Sequence, residues 1–430
     1  MKNRYTMKKY KVFFFMCGLI GSNAFAQQIE NQTVVPYSDY IQMVLQNNES
    51  YHGARLESEI AKEEIALSKM RPDPELELLY RENTEDHMRQ GPGIEGEISW
   101  DLEFGGKRKS RIQFANKAYE LANMEQLDYE QNLRLEASLI YLETIKEQQL
   151  YEVQKASYES MRQIAKSDSI QHELGILTRV EALQSRVEAK MARNEMNQAY
   201  TEYQNAVIKL HDFAGINHEE QFIIPDTSTR LITRQLSLPE LESSALQNKT
   251  TLKAAEIAKE QTEAEEKMIR AERRMDLSLI AGFEYNKASV TPELDAPMDK
   301  VLLIGFGVPL KFSNFNKAAI RQVNFAKEQA EWEASATRRE TLSAVREAYN
   351  NYITAERQLN SLEEELLEEA ETILNGIIYA YQRGSTSFLE VLNARNSYNE
   401  IQTLYYESLY EFAAAYLELQ YAAGKWDVDL

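Results

Sequence analysis

The chain is written twice. His172-Glu-Leu-Gly175, followed by Leu183 and Arg186, has a counterpart in Tyr381-Gln-Arg-Gly384, followed by Leu392 and Arg395. Gly175 and Gly384 stand 209 residues apart, as do Leu183 and Leu392, Arg186 and Arg395, and Gly215 and Gly424. Nearer the start, Leu45-Gln46-Asn47 matches Leu246-Gln247-Asn248 at 201, and Leu102 and Phe104 match Leu310 and Phe312 at 208. An ordered series with a slowly growing offset marks a tandem duplication, one copy over 27–215 and the other over 236–424. Residues 216–235, containing Phe222-Ile-Ile-Pro225, link the copies, and 425–430 form a tail. The period is far longer than the roughly 20–50 residues of a solenoid. Whatever one copy folds into, the molecule must contain it twice.

Each copy reads as helix, two strands, very long helix, helix. Only 16 Gly and 9 Pro occur in 430 residues, where average usage gives roughly 30 and 21, so chain-breakers are scarce and long helices are favoured. Opening helices are expected near Ser38–Met70 and Leu238–Met275, and the long helices near Lys107–Ser169 and Asn316–Tyr381. At 1.5 Å per residue such a long helix is a rod of about 95 Å. Val345, Ala348, Tyr352, Ala355, Leu359, Leu362, Leu366 and Ile373 alternate 3- and 4-residue steps, a heptad seam that needs a partner helix. Gly175 and Gly384 punctuate two helical hairpins, since glycine accepts the left-handed turn conformation.

The strands alternate strictly. In Glu97–Phe104 the apolar set is Ile98, Trp100, Leu102 and Phe104, and the polar set is Glu97, Ser99, Asp101 and Glu103. Its copy puts Leu302, Ile304, Phe306, Val308, Leu310 and Phe312 on one face, with Val301 and Leu303 as exceptions on the other. Partner strands offer Leu76, Leu78 and Tyr80, then Leu277, Leu279, Ala281, Phe283 and Tyr285. Segments of about ten residues, apolar outward and polar inward, suit an outer-membrane barrel. Four strands cannot close, because single-chain barrels begin at about eight and open edges are not tolerated in lipid. Closure therefore calls for an oligomer, and three chains give twelve strands.

The first 26 residues read as a signal peptide: a basic start (Lys2, Arg4, Lys8, Lys9, Lys11), an apolar stretch Val12–Ile20 and Ala24-Phe25-Ala26. The single Cys lies within it, so neither a disulfide framework nor a cysteine zinc site is expected. The formal charge of −20 becomes −25 in the mature chain, which argues against a nucleic-acid partner. No Walker, nucleophile-elbow or HExxH motif occurs, and the five His are scattered. Neither enzymatic activity nor a cofactor is expected, nor a tight metal site. The acidic run Glu363–Glu371 reads first as a solvated helix face.

Together the tandem repeat, the Tyr381-Gln-Arg-Gly384…Leu389-Glu-Val-Leu-Asn-Ala394 turn and the Leu174-Gly175-Ile176 turn resemble the TolC family of outer-membrane efflux proteins. Glu103-Phe-Gly-Gly-Lys-Arg108 is similar to the strand-to-helix junction of its heavy-metal branch, the CzcC and CusC relatives. The resemblance implies a mostly helical fold with a small β part: a homotrimer, a twelve-stranded barrel in the outer membrane of a Gram-negative bacterium, and a helical tunnel through the periplasm. It implies a passive conduit in a tripartite efflux pump. The partners would be a periplasmic adaptor (membrane fusion protein) and an inner-membrane pump of the resistance-nodulation-division type. Glu390 matches the first of two acidic gate positions, while Asn393 fills the second. Tyr381 matches a latch tyrosine, Glu181 falls at the latch aspartate, and Arg383 stands near the latch arginine, whose own position holds Thr386. Gly175, Ile176, Leu177 and Gly384 are the expected adaptor contacts, and Glu97, Asp101 and Glu103 the barrel-lumen residues. The alternatives are drug efflux or protein export through the same kind of channel, or a periplasmic coiled-coil scaffold or adaptor.

Overall fold

The computed structural model describes residues 32–82, 92–216, 222–227, 236–290, 295–310, 315–362 and 364–426. The signal peptide expected over 1–26 lies outside them. In chain order the elements are β1 (Gln32–Val35), α1 (Tyr37–Asn47), α2 (Glu49–Lys69), β2 (Glu75–Arg81), β3 (Gly93–Leu102), α3 (Lys107–Glu173), α4 (Arg179–Phe213) and β4 (Phe222–Pro225). The second copy gives α5 (Leu238–Asn248), α6 (Thr250–Glu272), β5 (Leu277–Asn286), the short pair β6 (Ser289–Val290) and β7 (Asp295–Ala296), and β8 (Asp299–Gly307). It ends with α7 (Phe315–Ser361), α8 (Glu364–Gln382) and α9 (Phe388–Ala422). The chain forms two compact units, one of Met1–Gly53, Tyr129–Lys249 and Thr341–Leu430, the other of Ala54–Asp128 and Thr250–Glu340.

The first unit carries the duplication in its core. Tyr40, Val44, Ala137 and Leu210 of the first copy correspond to Leu241, Ala245, Val345 and Leu419 of the second, and all eight are at most 1% exposed. They sit in two separate clusters, one per copy. Such burial is the dominant favourable term holding each cluster together. The heptad seam is buried from Val345 to Ala355 and then surfaces, with Ile373 exposed.

Each opening helix is broken, where the spacing predicts one run. Asn48 and Lys249 are extended, and Asn48 Oδ1 accepts the Tyr51 N–H at 3.0 Å, starting α2 afresh. The cause is tertiary. Gly215 and Gly424 close their copies with φ of 64° and 62°, and a Cβ there would lie 2.9 Å from Asn47 O and 2.8 Å from Lys249 N. The terminal glycine of each copy thus backs directly onto the break in its opening helix. The second long helix also divides, after Ser361, whose hydroxyl donates to the Gln358 carbonyl at 2.7 Å. The acidic run Glu363–Glu371 begins at this break.

The second unit holds a four-stranded antiparallel sheet in the order β2–β3–β5–β8, beside the short β6–β7 pair. Two strands come from each copy, and β3 and β5 join the copies through ten paired residues, Gly93↔Asn286 to Leu102↔Leu277. The register aligns Leu76, Ile98, Ala281 and Ile304 in one row, and Leu78, Gly96, Phe283 and Leu302 in the next. This face is uncovered in the single chain: Ile304 is 82% exposed and Leu302 76%. Lys311 and Phe312 lie outside the described residues.

Candidate functional site

Two regions hold the residues singled out by the sequence, one at the hairpin turns in the first unit and one on the sheet in the second. At the turns, Gly175 and Gly384 have φ of 76° and 72°. The Gly175 N–H donates to His172 O at 2.9 Å and the Ile176 N–H to Gln171 O at 2.9 Å. Gly384 and Ser385 repeat this pattern on Tyr381 and Ala380, so both helix ends are closed the same way. Leu174, Ile176, Val180 and Leu389 all project there, each at least 60% exposed. Leu177 presents its carbonyl to His172 Nδ1 at 3.0 Å.

Beneath the turns the two hairpins meet. Met161, Ile164 and Ala165 of α3, Ala189 and Ala192 of α4, and Phe388 and Val391 of α9 form one buried cluster. Tyr381 packs on it and donates its hydroxyl to Asp168 Oδ2 at 3.0 Å. Asp168 is 1% exposed, and its Oδ1 accepts no well-formed hydrogen bond among the described residues. Burial pushes the Asp168 carboxyl up, against the opposing pull of the Ser185 and Tyr381 hydroxyls. The Tyr381 phenol is raised in turn, by burial first and by the Asp168 charge second.

The latch residues expected from the sequence divide. Tyr381 is engaged, but its partner is Asp168 rather than Glu181. Glu181 closes a capping box at the start of α4: its Oε2 accepts the Thr178 N–H at 2.9 Å and the Thr178 hydroxyl at 2.7 Å. Those bonds, the hydroxyl first, hold its carboxyl below the usual range. Glu390 does similar work on α9, accepting the Thr386 hydroxyl while its N–H reaches Ser387 Oγ at 3.4 Å. Arg383 stacks on the Tyr379 ring at 4.3 Å, and forms no ion pair with Glu181 or Glu390. Sequence reasoning missed Asp168, although a signal was present. Met161, Ile164, Ala165 and Asp168 follow one helical stripe, and a carboxylate in an apolar stripe needs a buried partner.

On the sheet, Glu97 lies opposite Glu77 and Gly282, on the face away from Ile98 and Trp100. Arg81 spans this polar face, 2.6 Å from Glu95 and 3.1 Å from Glu284. Asp101 accepts the Ser278 hydroxyl. Glu103 lies past the end of β3 and is held by both Arg111 nitrogens, at 2.7 and 3.2 Å. It therefore serves the strand-to-helix junction. There the buried Lys107 pairs with Asp276, and Arg111 also donates to Ser68 O and Met70 O. Gly105 and Gly106 have φ of 76° and 79°, and a Cβ on Gly105 would strike the Arg274 side chain.

Among the described residues no group of three or more His, Cys, Asp and Glu is arranged to hold a metal ion. His211 is buried and its Nε2 accepts the Ile223 N–H at 2.9 Å. His218 lies outside the described residues. No helix among them is long and apolar enough to cross a membrane.

The family model for outer membrane efflux proteins matches residues 40–215 and 241–425, one match per copy. The cobalt-zinc-cadmium resistance protein CzcC of Cupriavidus metallidurans is 22% identical over 337 residues, covering 77% of this chain and 76% of that protein. Among solved structures, CusC superimposes with a TM-score of 0.72 at 17% identity, over 91% of this chain and 92% of that one. VceC of Vibrio cholerae, an outer membrane protein, gives 0.71 at 15% identity, over 90% and 96%. The duplicated helices, the shared four-stranded sheet and two family matches that tile both copies agree: the chain belongs to the outer membrane efflux protein family, and its place is the outer membrane.

Proposed function

We propose that the chain is the outer-membrane channel of a tripartite efflux pump, a passive conduit that works as a homotrimer. The observation that carries this is the sheet: an uncovered apolar face, a polar face lined with Glu95, Glu97, Asp101 and Glu284, and two edge strands, β2 and β8, in each chain. Three such sheets joined edge to edge make twelve strands, apolar toward lipid and acidic toward water. The carboxylates raise the local concentration of cations in the pore, which together with the CzcC likeness favours metal cations as cargo. In this reading the Tyr381–Asp168 bond holds the turns together and Glu390 narrows the tunnel. The exposed Ile176 and Leu174 meet the periplasmic adaptor, with an inner-membrane pump of the resistance-nodulation-division type behind it.

Planar-bilayer conductance of the detergent-purified mature protein tests the channel, with the reversal potential read in a salt gradient. Small cation-selective steps are expected, and Glu390→Gln should lower the selectivity. Absence of insertion, with a soluble monomer in solution scattering, would overturn the channel reading and leave a periplasmic scaffold. Ile176→Asp should weaken adaptor binding in trimers that remain intact.

A further inference from the structure

At the helical end of the sheet lies a cavity of about 300 Å³, lined by Arg71, Pro72, Trp100, Asp101, Leu102, Glu103, Phe104 and Arg108. Its apolar wall continues the lipid-side face: Trp100 and Leu102 share one side of β3, and Phe104, two residues past the strand's end, lines the same cavity, with Trp100 39% and Phe104 49% exposed. The Trp100 indole N–H donates to Pro72 O at 3.0 Å, so the ring is anchored by its polar atom and offers its apolar body outward. Interfacial aromatics take this posture in membranes.

The polar wall is cationic in its unpaired charge. Of its two carboxylates, Glu103 is paired with Arg111, while Asp101 accepts the Ser278 hydroxyl and keeps its charge, one negative charge against the two arginines of the wall. Arg71 is exposed and, among the described residues, forms no ion pair, while Arg108 spends its Nε on the Lys69 carbonyl at 2.7 Å and has no carboxylate partner among them either. Lys69, Lys109 and Arg273 stand near the same junctions, also without ion pairs among the described residues. Asp73, Glu75, Glu272 and Asp276 lie in the same segments, yet over 69–75, 101–111 and 270–276 nine basic residues stand against six acidic ones, in a chain of formal charge −20.

We propose that this cavity binds an anionic glycerophospholipid of the leaflet on the helical side, its phosphate between Arg71 and Arg108 and its glycerol and upper acyl chains on Trp100 and Phe104. The inference rests on reading the sheet as a barrel wall. Basic pockets beside membrane-spanning elements recognise anionic headgroups in this way, at about 1 kcal/mol per Lys or Arg. That corresponds to roughly fivefold in lipid preference for each arginine, and ~25-fold for both.

Trp100 is itself the reporter. The full mature protein carrying Trp332→Phe and Trp426→Phe, with Trp100 as its one indole, is reconstituted into phosphatidylethanolamine vesicles. These contain a small fixed fraction of brominated phosphatidylglycerol or of brominated phosphatidylethanolamine. Brominated phosphatidylglycerol should quench Trp100 well beyond the brominated neutral lipid at the same fraction. Arg71→Gln with Arg108→Gln should erase the excess, Arg71→Gln alone should cut it about fivefold, and Lys190→Gln should leave it unchanged. Arg71 donates no hydrogen bond to another described residue, so its single variant separates lipid binding from a folding defect. Equal quenching by both lipids would overturn the lipid site and leave the barrel standing. No quenching by either would overturn the barrel reading and the site with it. If the Arg71 variant loses trimers while the excess persists, the cavity belongs to a subunit contact instead.

Discussion

Replacing Tyr381 by Phe removes one hydroxyl from the contact between the two hairpins and little else. Asp168, on the other side, is 1% exposed, and its Oδ2 accepts that hydroxyl, with the Ser185 hydroxyl also acting on the carboxyl. Stranding a buried acceptor costs about 1–3 kcal/mol, toward the upper end for a charged one. That is roughly a 5- to 150-fold gain in the population with the hairpins apart. Amide hydrogen exchange should therefore quicken by that factor in the last turns of α3 and α8 and leave the clusters around Tyr40 and Leu241 unchanged. Asp168→Asn should act oppositely at neutral pH. Burial raises the Asp168 carboxyl above its ordinary 3.8, so the closed contact holds the proton more tightly than the open one. Its stabilisation is complete below that ordinary value and fades as pH rises through the raised one. The wild-type turns should thus tighten on acidification, and the neutral Asn variant should be tight throughout. Exchange in Tyr381→Phe within twofold of wild type, or an Asp168→Asn variant that keeps the pH dependence, would refute this account.

Three further substitutions probe other parts of the molecule. Gly105→Ala places a methyl group on the Arg274 side chain and should lower the midpoint of urea unfolding well beyond Gly106→Ala. The latter meets no atom within 4 Å and should lose only the ~1–2 kcal/mol of the left-handed conformation. Ile304→Arg, mid-strand on the uncovered face, should cost about 2–4 kcal/mol in lipid-vesicle folding titrations, whereas Glu97→Gln on the opposite face should alter conductance and leave folding unchanged. Gly175→Asn should keep the first hairpin's melting temperature close to wild type, because asparagine also visits the left-handed region, and Gly175→Val should not.

The features most legible in the sequence are those set by local chemistry. Strict alternation in Glu97–Phe104 needs only the two-residue period of a strand, and the structure places Ile98, Trp100 and Leu102 on one face, the strand ending before Phe104. Gly175 and Gly384 announce turns because few other residues accept their φ. What stayed hidden depends on residues distant in the chain. The break at Asn48 is explained by Gly215, and the break at Lys249 by Gly424, each more than 160 positions away. Tyr381 could be named from its motif, but its partner Asp168 required the packing of α3 against α8. Glu103 looked like a strand residue by parity, and only Arg111, one helical start further on, takes it to the junction.

The order β2–β3–β5–β8 leaves each chain with two different edges, and in a three-chain ring every β2 must meet a neighbour's β8. A chain with one spoiled edge still offers the other, so it is recruited before the ring fails to close. Mixed with an equal amount of intact chain, it leaves about one ring in eight free of damage. Lesions on either edge strand should therefore be inherited as dominant, whereas lesions on the inner strands that prevent the sheet from forming leave nothing to recruit and should be recessive.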